Sequence, residues 1–333
     1  MIEYWAESEP EKFRTFYGEF GPLFKSGLNS DFANRDRITE LLRFHSTRTD
    51  DSKASKDAET ASKGEDTSEK STASKGEDTS EKSTASKGEE KSEKSAASEQ
   101  QDKEAGSNAL ADMVSLKTYV ARMADTQKEI YYLSGDSLEE LKRDPKLEYF
   151  CKKDIEVLLL ADPVDAFVVP GIGSYREKPL KSIEKADLDL DDDPDEEEKS
   201  DRLTGEALDR LFAVFKEEAG DRVEDVVASR RLVDSAVTLT IGKEGLDSHL
   251  ERMMKMMDQE TGTSRRVLEI NPSHPVIRNM SRMQEAGSDE TVRLMARQLY
   301  DGARLLQGEL ESPGEFVSRM TRVMELATKR KDS

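Results

Sequence analysis

Residues able to perform nucleophilic, acid–base or metal chemistry are few and widely separated in this sequence. There are three histidines, His45, His249 and His274, and one cysteine, Cys151. No His-Glu-x-x-His segment is present, and no cysteine or histidine pair has the spacing of a zinc site. No Gly-x-Ser-x-Gly elbow marks a serine nucleophile. The residues therefore predict no catalytic or metal site, and an enzyme with an unrecognised site stays open as an alternative.

Two glycine-containing segments share features with phosphate-binding loops. Gly171 and Gly173 follow an apolar stretch, but the third glycine and the helical pattern of a dinucleotide-binding turn are missing. Gly242 and Lys243 lack the glycine that a P-loop has five residues earlier. We therefore interpret the first segment as a turn, and the second does not predict a P-loop.

An acidic tract has part of the spacing of a calcium loop. Asp187, Asp189 and Asp191 would occupy positions 1, 3 and 5, and Glu198 would occupy position 12. Position 6, where a calcium loop turns on glycine, is Asp192, and no amphipathic helix leads into the tract. The tract therefore favours a solvated linker, with weak, non-specific binding of divalent ions as the alternative.

The strongest candidate for a binding element is a predicted amphipathic helix over residues 246–257. Apolar side chains recur along one of its faces at helical spacing: Leu246, Leu250, Met253, Met254 and Met257. Met256 lies off that face, so the segment has more methionine than a core helix needs. Because methionine is unbranched and polarisable, a methionine-rich surface adapts to many apolar partners. The alternative is that these side chains pack in a core.

Two long amphipathic helices are predicted at the end of the sequence, over residues 289–307 and 313–331. Ser312 and Pro313 provide the N-cap and first-position signals of the second helix. A lone helical hairpin buries little, whereas hairpins from two copies can form a four-helix bundle. We therefore predict a homodimer interface formed by Val292, Met295, Leu299, Leu306, Phe316, Met320, Val323 and Met324. The alternative is that the hairpin folds back on its own domain.

Composition restricts the partners and the compartment. The chain has 333 residues, a formal net charge of -20 and a pI of about 4.8. It therefore has no excess of basic side chains for nucleic acid or an anionic membrane. No apolar run reaches the roughly 18 residues of a membrane span, and the N-terminus has no secretory signal pattern. A single cysteine fits a reducing compartment, and we expect a cytoplasmic protein.

Patterning divides the chain into five segments. Residues 1–45 are predicted to be the helical part of a larger domain. Residues 46–112 contain a twelve-residue repeat and too few apolar side chains to offset an ordering cost of about 1–2 kcal/mol per residue, so a disordered insertion is predicted. Residues 113–184 alternate helix and strand and predict a small α/β/α lobe, and residues 185–202 form an acidic linker. Residues 203–333 predict an α+β domain that ends in the helical hairpin, so the fold class is mixed α+β and α/β.

Within these segments, buried strands are predicted over residues 130–133, 155–160, 223–228, 236–241 and 267–270. Further helices are predicted around residues 13–24, 38–42, 116–123, 146–150 and 204–219. Ser137, followed by Glu140, has the pattern of a capping box that opens one more helix.

Several long strings in the sequence resemble the heat-shock protein 90 family of chaperones, bacterial type. They are RDRITELLRFHST at 35–47, SLKTYVARMADTQKEIYYLSGDS at 115–137, EVLLLADPVDAF at 156–167, RRLVDSAVTLTIGKEGLDSHLERMMK at 230–255 and LEINPSHPVI at 268–277. Their order matches the late middle domain and the C-terminal dimerisation domain of that family. Together they cover nearly the whole chain apart from the insertion and the acidic tract.

The resemblance implies a homodimeric chaperone that binds unfolded or partly folded client proteins. It implies that Leu250, Met253, Met254 and Met257 face the cleft between subunits and contact clients. The segment after the Asp-Pro-Val-Asp string also contributes to client contact in the family. Here that segment is Ala166 and Phe167, which keeps an aromatic side chain and lacks the acidic residue that is common in the family.

The family uses ATP and Mg²⁺, but its nucleotide-binding domain and the first lobe of its middle domain have no counterpart in this sequence. The resemblance therefore implies a dimeric, client-binding module that is not itself an ATPase and needs no cofactor. The alternative is a dimerisation or scaffold module without chaperone activity.

Overall fold

The computed structural model describes residues 1–28, 30–48, 113–190, 202–242, 245–257 and 264–329. Apart from residues 46–48, the predicted insertion lies outside these ranges, and so do residues 191–201 of the acidic tract. The described residues combine helices and strands, as predicted, and form two compact units.

The first unit comprises Met1–Glu19 and, among the other described residues, positions 48 and 113. Helix α1 is Ile2–Ser8, and helix α2, Pro10–Gly27, begins in this unit. Trp5 packs edge-on against Phe16, with ring centroids 5.8 Å apart. Contacts between aromatic side chains therefore order the start of the described chain.

The second unit begins within α2 and continues with helix α3, Arg35–Leu41, and strand β1, Phe44–Ser46. Strand β1 was not predicted, because residues 1–45 were expected to be helical and the insertion was expected to begin at 46. Ser46 is instead buried, and its hydroxyl donates to Glu156 Oε1 at 2.7 Å. The ordered lobe therefore extends into the range assigned to the insertion.

The lobe is built on a six-stranded sheet. Its other strands are β2 (Met113–Val114), β3 (Ile130–Ser134), β4 (Val157–Leu160), β5 (Ser174–Tyr175) and β6 (Lys178–Ser182). The strand order is β2-β1-β4-β3-β6-β5, with β3 parallel to both β4 and β6. The lobe helices are α4 (Leu116–Arg122), α5 (Leu138–Leu141), α6 (Glu148–Lys152) and α7 (Asp165–Ile172), and a 3-10 turn, Pro145–Leu147, precedes α6.

Both faces of this sheet are buried. Ile130 and Tyr132 belong to one apolar core, and Tyr131 and Leu133 belong to the core on the other face. Because side chains alternate along a strand, a strand buried on both faces appears in the sequence as a continuous apolar run. This explains why β3 and β4 were predictable.

The predicted acidic linker begins later than expected. Leu188 and Leu190, which lie inside the predicted range 185–202, are buried in the core that contains Leu133. Residues 185–190 are therefore part of the packed structure, because two leucines among the aspartates provide apolar area for burial.

The segment around Gly171 is helical rather than a turn. Helix α7 continues through Gly171 to Ile172 and ends at Gly173, whose φ of +68° favours glycine. The predicted turn is therefore limited to the residue that ends this helix.

The second sheet contains β7 (Val223–Ala228), β8 (Val237–Ile241) and β9 (Arg266–Ile270) in the order β7-β9-β8. The helices of this region are α8 (Gly205–Ala219), α9 (Ser248–Met256), α10 (Pro275–Glu285), α11 (Asp289–Leu306) and α12 (Pro313–Thr328). Side chains of α8, α10 and α11 form the apolar core on this sheet, among them Phe215, Met280 and Tyr300. This region therefore has the combination of sheet and helices that was predicted for its sequence.

The starts of two helices differ from prediction. Helix α10 was not predicted, although Pro275 occupies its first position and the Val276 N–H donates to His274 Nδ1 at 3.2 Å. Ser312 precedes α12 as predicted, but its side chain makes no capping hydrogen bond. The proline at the first helical position is thus the start signal that both helices share.

Candidate functional site

Helix α9 buries polar side chains and exposes apolar ones. Ser248, His249 and Glu251 are buried, whereas Met256 and Met257 are 85% and 60% exposed. An ordinary surface helix has the opposite arrangement, with its apolar stripe against the core. The candidate binding segment therefore exposes two methionines at its C-terminal end, Met256 within the helix and Met257 just after it.

The other predicted binding residues of this helix lie at its partly exposed side. Leu250, Met253 and Met254 are half-buried, and none belongs to the apolar cores formed by the described residues. Leu246 and Met257, which were predicted to be helical, lie just outside the ends of α9. Their place outside these cores favours a binding surface over core packing, the alternative for these methionines.

Phe167 lies on α7, and α7 lies beside α9. The Phe167 side chain is 39% exposed, whereas the preceding Ala166 is buried. The structure thus places the helix that contains Phe167 beside the helix that contains Leu250, Met253 and Met254. We call the side chains of Leu250, Met253, Met254, Met256, Met257 and Phe167 the methionine surface.

A buried lysine fixes the start of α7. Lys25 Nζ lies 2.8 Å from Asp165 Oδ1 and 3.2 Å from Asp162 Oδ2, and Lys25 is only 4% exposed. Burial raises the pKa of Asp165 to about 6, although the charge of Lys25 opposes this shift. Because both charges are removed from water, the ammonium group of Lys25 and the carboxyl group of Asp165 stabilise each other. This ion pair holds the start of α7 in one orientation.

A buried carboxyl group, that of Glu184, and a half-buried one, that of Asp247, lie at the start of α9. Glu184 Oε2 accepts the Ser248 N–H at 3.0 Å, and Asp247 immediately precedes the helix. Burial raises the pKa of Glu184 to about 7 despite the nearby charge of Lys146, and Asp247 contributes to the increase. Burial also raises the pKa of Asp247. The protein therefore binds a proton more tightly here than the unfolded chain does.

Replacing Glu184 by glutamine is expected to flatten the pH dependence of stability between pH 4.5 and about 7. The unfolded chain releases this proton near 4.5, whereas the folded protein keeps it until about 7, so the wild-type protein loses stability as the pH rises through this window. We expect the wild-type protein to lose about 1–3 kcal/mol of its free energy of unfolding across this window, and the glutamine variant to avoid this loss. Denaturant unfolding at several pH values measures the effect.

Glutamine can still accept the Ser248 N–H, so the variant removes the titration and keeps the hydrogen bond. Glu139→Gln, at an exposed carboxylate of α5, is the matched control and should keep the wild-type slope. Equal slopes for Glu184→Gln and the wild-type protein would show that Glu184 does not cause the pH dependence.

The predicted dimer residues occupy different environments. Val292 is completely buried in the core of its own chain, so its assignment to an interface is wrong. Met295 and Leu299 are partly buried against the same core. The remaining residues are partly or largely exposed on α11 and α12: Leu306, Phe316, Met320, Val323 and Met324.

Helix α12 has no buried residue. It packs beside α11, and Arg319 of α12 pairs with Asp301 of α11. Val317, which was not among the predicted interface residues, is 52% exposed on this helix. The hairpin therefore keeps an exposed apolar stripe whose main contributor is α12.

No group of three or more His, Cys, Asp and Glu side chains in the described ranges is placed to hold a metal ion. Of the calcium-loop residues considered above, Asp187 and Asp189 are described, and Asp191 and Glu198 are not. The described helices include none that is long and apolar enough to span a bilayer.

Comparison with known proteins gives consistent matches. The family profile described as Hsp90 protein matches residues 1–58 and 104–333. Chaperone protein HtpG of Chlorobium luteolum is 44% identical over 328 residues, which cover 98% of this chain and 43% of that protein. HtpG of Chlorobaculum tepidum is 42% identical over 97% of this chain and 42% of its own length, and HtpG of Geobacter sulfurreducens is 33% identical over 96% and 40%.

The chain therefore spans less than half the length of these curated relatives. Residues 59–103, which the family profile does not match, all lie within the predicted insertion.

Proposed function

Since this chain belongs to the Hsp90 family, we propose that it is a chaperone module that binds unfolded or partly folded proteins as a homodimer. The observation that carries the proposal is the orientation of α9, which buries Ser248, His249 and Glu251 and leaves Met256 and the adjoining Met257 exposed. We assign client binding to the methionine surface and dimerisation to the α11–α12 hairpin.

The chemistry of the methionine surface supports the proposal. Non-native proteins expose apolar side chains of varied shape, so their receptor needs an apolar surface that can adapt. Methionine has three rotatable bonds and a polarisable sulfur, which allow it to fit many shapes. Phe167 on the neighbouring helix adds an aromatic side chain to this flexible surface.

The hairpin supports the dimer. A helix with no buried residue contributes little to the stability of a single chain, and the exposed apolar stripe of α12 includes Val317 and Met324. Pairing this stripe with a second copy around a two-fold axis would bury it in a four-helix bundle.

We assign the described residues a role in binding and no catalytic step. Complete Hsp90 family members use ATP and Mg²⁺, as the resemblance implies, and the described residues contain no metal-holding cluster. No step of the proposed function passes through a nucleotide. The acidic composition and the single cysteine support a cytoplasmic location without nucleic-acid or membrane partners.

Replacing Met253 and Met257 together by glutamate is expected to reduce suppression of client aggregation by about tenfold or more. Each glutamate places a charge where an apolar client side chain would be desolvated. Light scattering of a chemically denatured client, measured over a range of chaperone concentrations, gives the effect.

Two controls separate surface chemistry from charge. Met253→Leu with Met257→Leu keeps the surface apolar and should keep suppression. Lys142→Glu changes the net charge by the same two units at an exposed site in the lobe and should also keep it. If the double glutamate variant suppresses aggregation as well as the wild-type chain, the methionine surface is not the client site. A dimer without any suppression would favour the scaffold alternative.

A further inference from the structure

Helix α9, which contains most of the methionine surface, lies against the connection between α11 and α12. Arg252 Nη1 donates to the Gln307 carbonyl oxygen at 2.7 Å. Arg266 of β9 contacts Glu251 of α9 at 3.2 Å and also pairs with Glu309 of this connection. We call residues 307–309 the corner. One buried arginine therefore links α9 to the hairpin.

The charges of this link are removed from water. Glu251 is 1% exposed and Arg266 is 5% exposed. Burial by itself would raise the pKa of Glu251, but the hydrogen bond from Lys255 and the charge of Arg266 outweigh it and hold that pKa below its ordinary value. Burial opposes the charge of Arg266, whereas Glu309 and Glu251 stabilise it and raise its pKa. Both carboxylates contact the same nitrogen, Nη2, so each contributes to holding this buried guanidinium.

The corner is itself fixed to the body of the domain. Gln307 Nε2 donates to the Leu239 carbonyl oxygen at 2.8 Å, and Arg304 donates to the Glu309 carbonyl oxygen at 2.8 Å. Gly308 has a φ of +68°, and a Cβ atom there would lie 2.9 Å from Arg252 Nη1. The absence of a side chain at Gly308 thus permits the close approach of Arg252.

Polar contacts predominate beneath α9. Besides Glu251 and Arg252, the helix has His249, whose Nδ1 lies 2.9 Å from Asp136 Oδ1. No side chain of α9 belongs to the apolar cores of the described residues. These directional contacts therefore contribute to the orientation of α9.

We propose that the corner positions the methionine surface, with Glu309 and Glu251 acting as positioning residues through Arg266. The inference rests on the proposed function, because it concerns how that binding surface is held. It predicts that a change at the corner alters a surface formed by a different helix. The hairpin assigned to dimerisation thereby also determines how the client-binding helix is presented.

The test compares Glu309→Gln with Glu311→Gln in the full chain. Both variants remove one negative charge from the same connection between α11 and α12. Glu311 pairs with Arg304 and Arg222, and none of its ion pairs or hydrogen bonds within the described residues reaches α9 or Arg266. Hydrogen exchange of the 248–256 amides reports the docking of α9. Fluorescence anisotropy with reduced, carboxymethylated α-lactalbumin, which stays unfolded without denaturant, reports binding.

For Glu309→Gln we expect about tenfold faster exchange in α9, because Arg266 loses a charged partner, together with weaker binding of the unfolded probe. Glu309→Asp should restore much of the protection, and Glu311→Gln should match the wild-type protein. Exchange in β7 and β8 should stay unchanged, which separates a local effect on α9 from general destabilisation.

Wild-type exchange in α9 of the Glu309→Gln variant would overturn the positioning role, and so would equal effects of Glu309→Gln and Glu311→Gln. If the Met253 and Met257 glutamate variant binds the unfolded probe normally, the proposed client site fails instead. The exchange measurement still decides whether the corner positions α9 in that case, so the two failures are distinguishable.

Discussion

Replacing Arg231 by alanine is expected to lower the free energy of unfolding by about 3–5 kcal/mol. Arg231 is 2% exposed, and its guanidinium makes two contacts with Glu269, at 2.9 and 3.0 Å. It also donates to the carbonyl oxygens of Ile183 and Lys185. Alanine would leave a buried carboxylate and two carbonyl groups without this donor. Guanidinium unfolding followed by circular dichroism measures the loss.

Arg230→Ala is the matched control, because it removes the same charge at an adjacent, exposed position. We expect its effect to stay within about 0.5 kcal/mol. The double variant Arg231→Met with Glu269→Leu should be less destabilised than Arg231→Ala, because it leaves no buried carboxylate unpaired. A loss below 1 kcal/mol for Arg231→Ala would contradict the role assigned to this arginine.

The size of this effect follows from the place of Arg231 between the two sheets. Residues 183 and 185 follow β6 of the first sheet, whereas Glu269 belongs to β9 of the second. Nearby, Glu148 Oε2 accepts the N–H groups of Val233 and Asp234 at 2.6 and 2.8 Å. Charge-assisted hydrogen bonds thus join the lobe to the second sheet, where apolar packing alone would permit several orientations.

Apolar patterning predicted the strands β3, β4, β7, β8 and β9 and missed β1, β2, β5 and β6. The predicted strand 223–228 coincides with β7, and the predicted ranges 130–133 and 155–160 overlap β3 and β4. In β3 and β4 the side chains enter cores on both faces and give a continuous apolar run, whereas β7 also contains the exposed Glu224 and Asp225. Helix α10 was not predicted, although Pro275 marks its start and Val276, Met280 and Met283 recur at helical spacing.

The polar contacts beneath α9 could not be predicted in the same way. Glu251 and Arg266 are 15 positions apart, and Arg231 and Glu269 are 38 positions apart. Charged residues ordinarily indicate exposure, so a sequence pattern places Glu251 on the solvent side. Only the fold shows that Arg266 is buried together with Glu251. The side of α9 that contains Glu251 therefore faces the protein instead of the solvent.

Val292 illustrates a different limit. It shares an apolar stripe with Met295 and Leu299, and the spacing of the three correctly predicts one helical face. Apolar periodicity indicates that one face of a helix is covered. It does not indicate whether an element of the same chain or a second copy covers that face. In the fold, α8 lies against α11, so the domain's own core covers Val292. Helix α12 lacks such a cover, and the dimer proposal therefore rests chiefly on that helix.

A chain that ends after Ser312 is expected to be monomeric. Its dimer dissociation constant should be at least about 100-fold higher than that of the full chain. The truncation removes α12, whose apolar side chains would pair with a second copy, including Phe316, Met320 and Met324. Sedimentation equilibrium over a range of protein concentrations measures the change.

The cut is placed after Ser312 rather than after Gln307 because residues 308 and 309 belong to the corner. Since α12 has no buried residue, the truncated chain should remain folded, and hydrogen exchange in α9 should stay close to that of the full chain.

Met324→Glu in the full chain tests the same interface without truncation and should weaken the dimer in the same direction. A truncated chain that still forms dimers would exclude the four-helix bundle and would place the contact between copies elsewhere. Loss of the dimer with α9 still docked would instead show that the corner holds the methionine surface in each chain separately, before two copies meet.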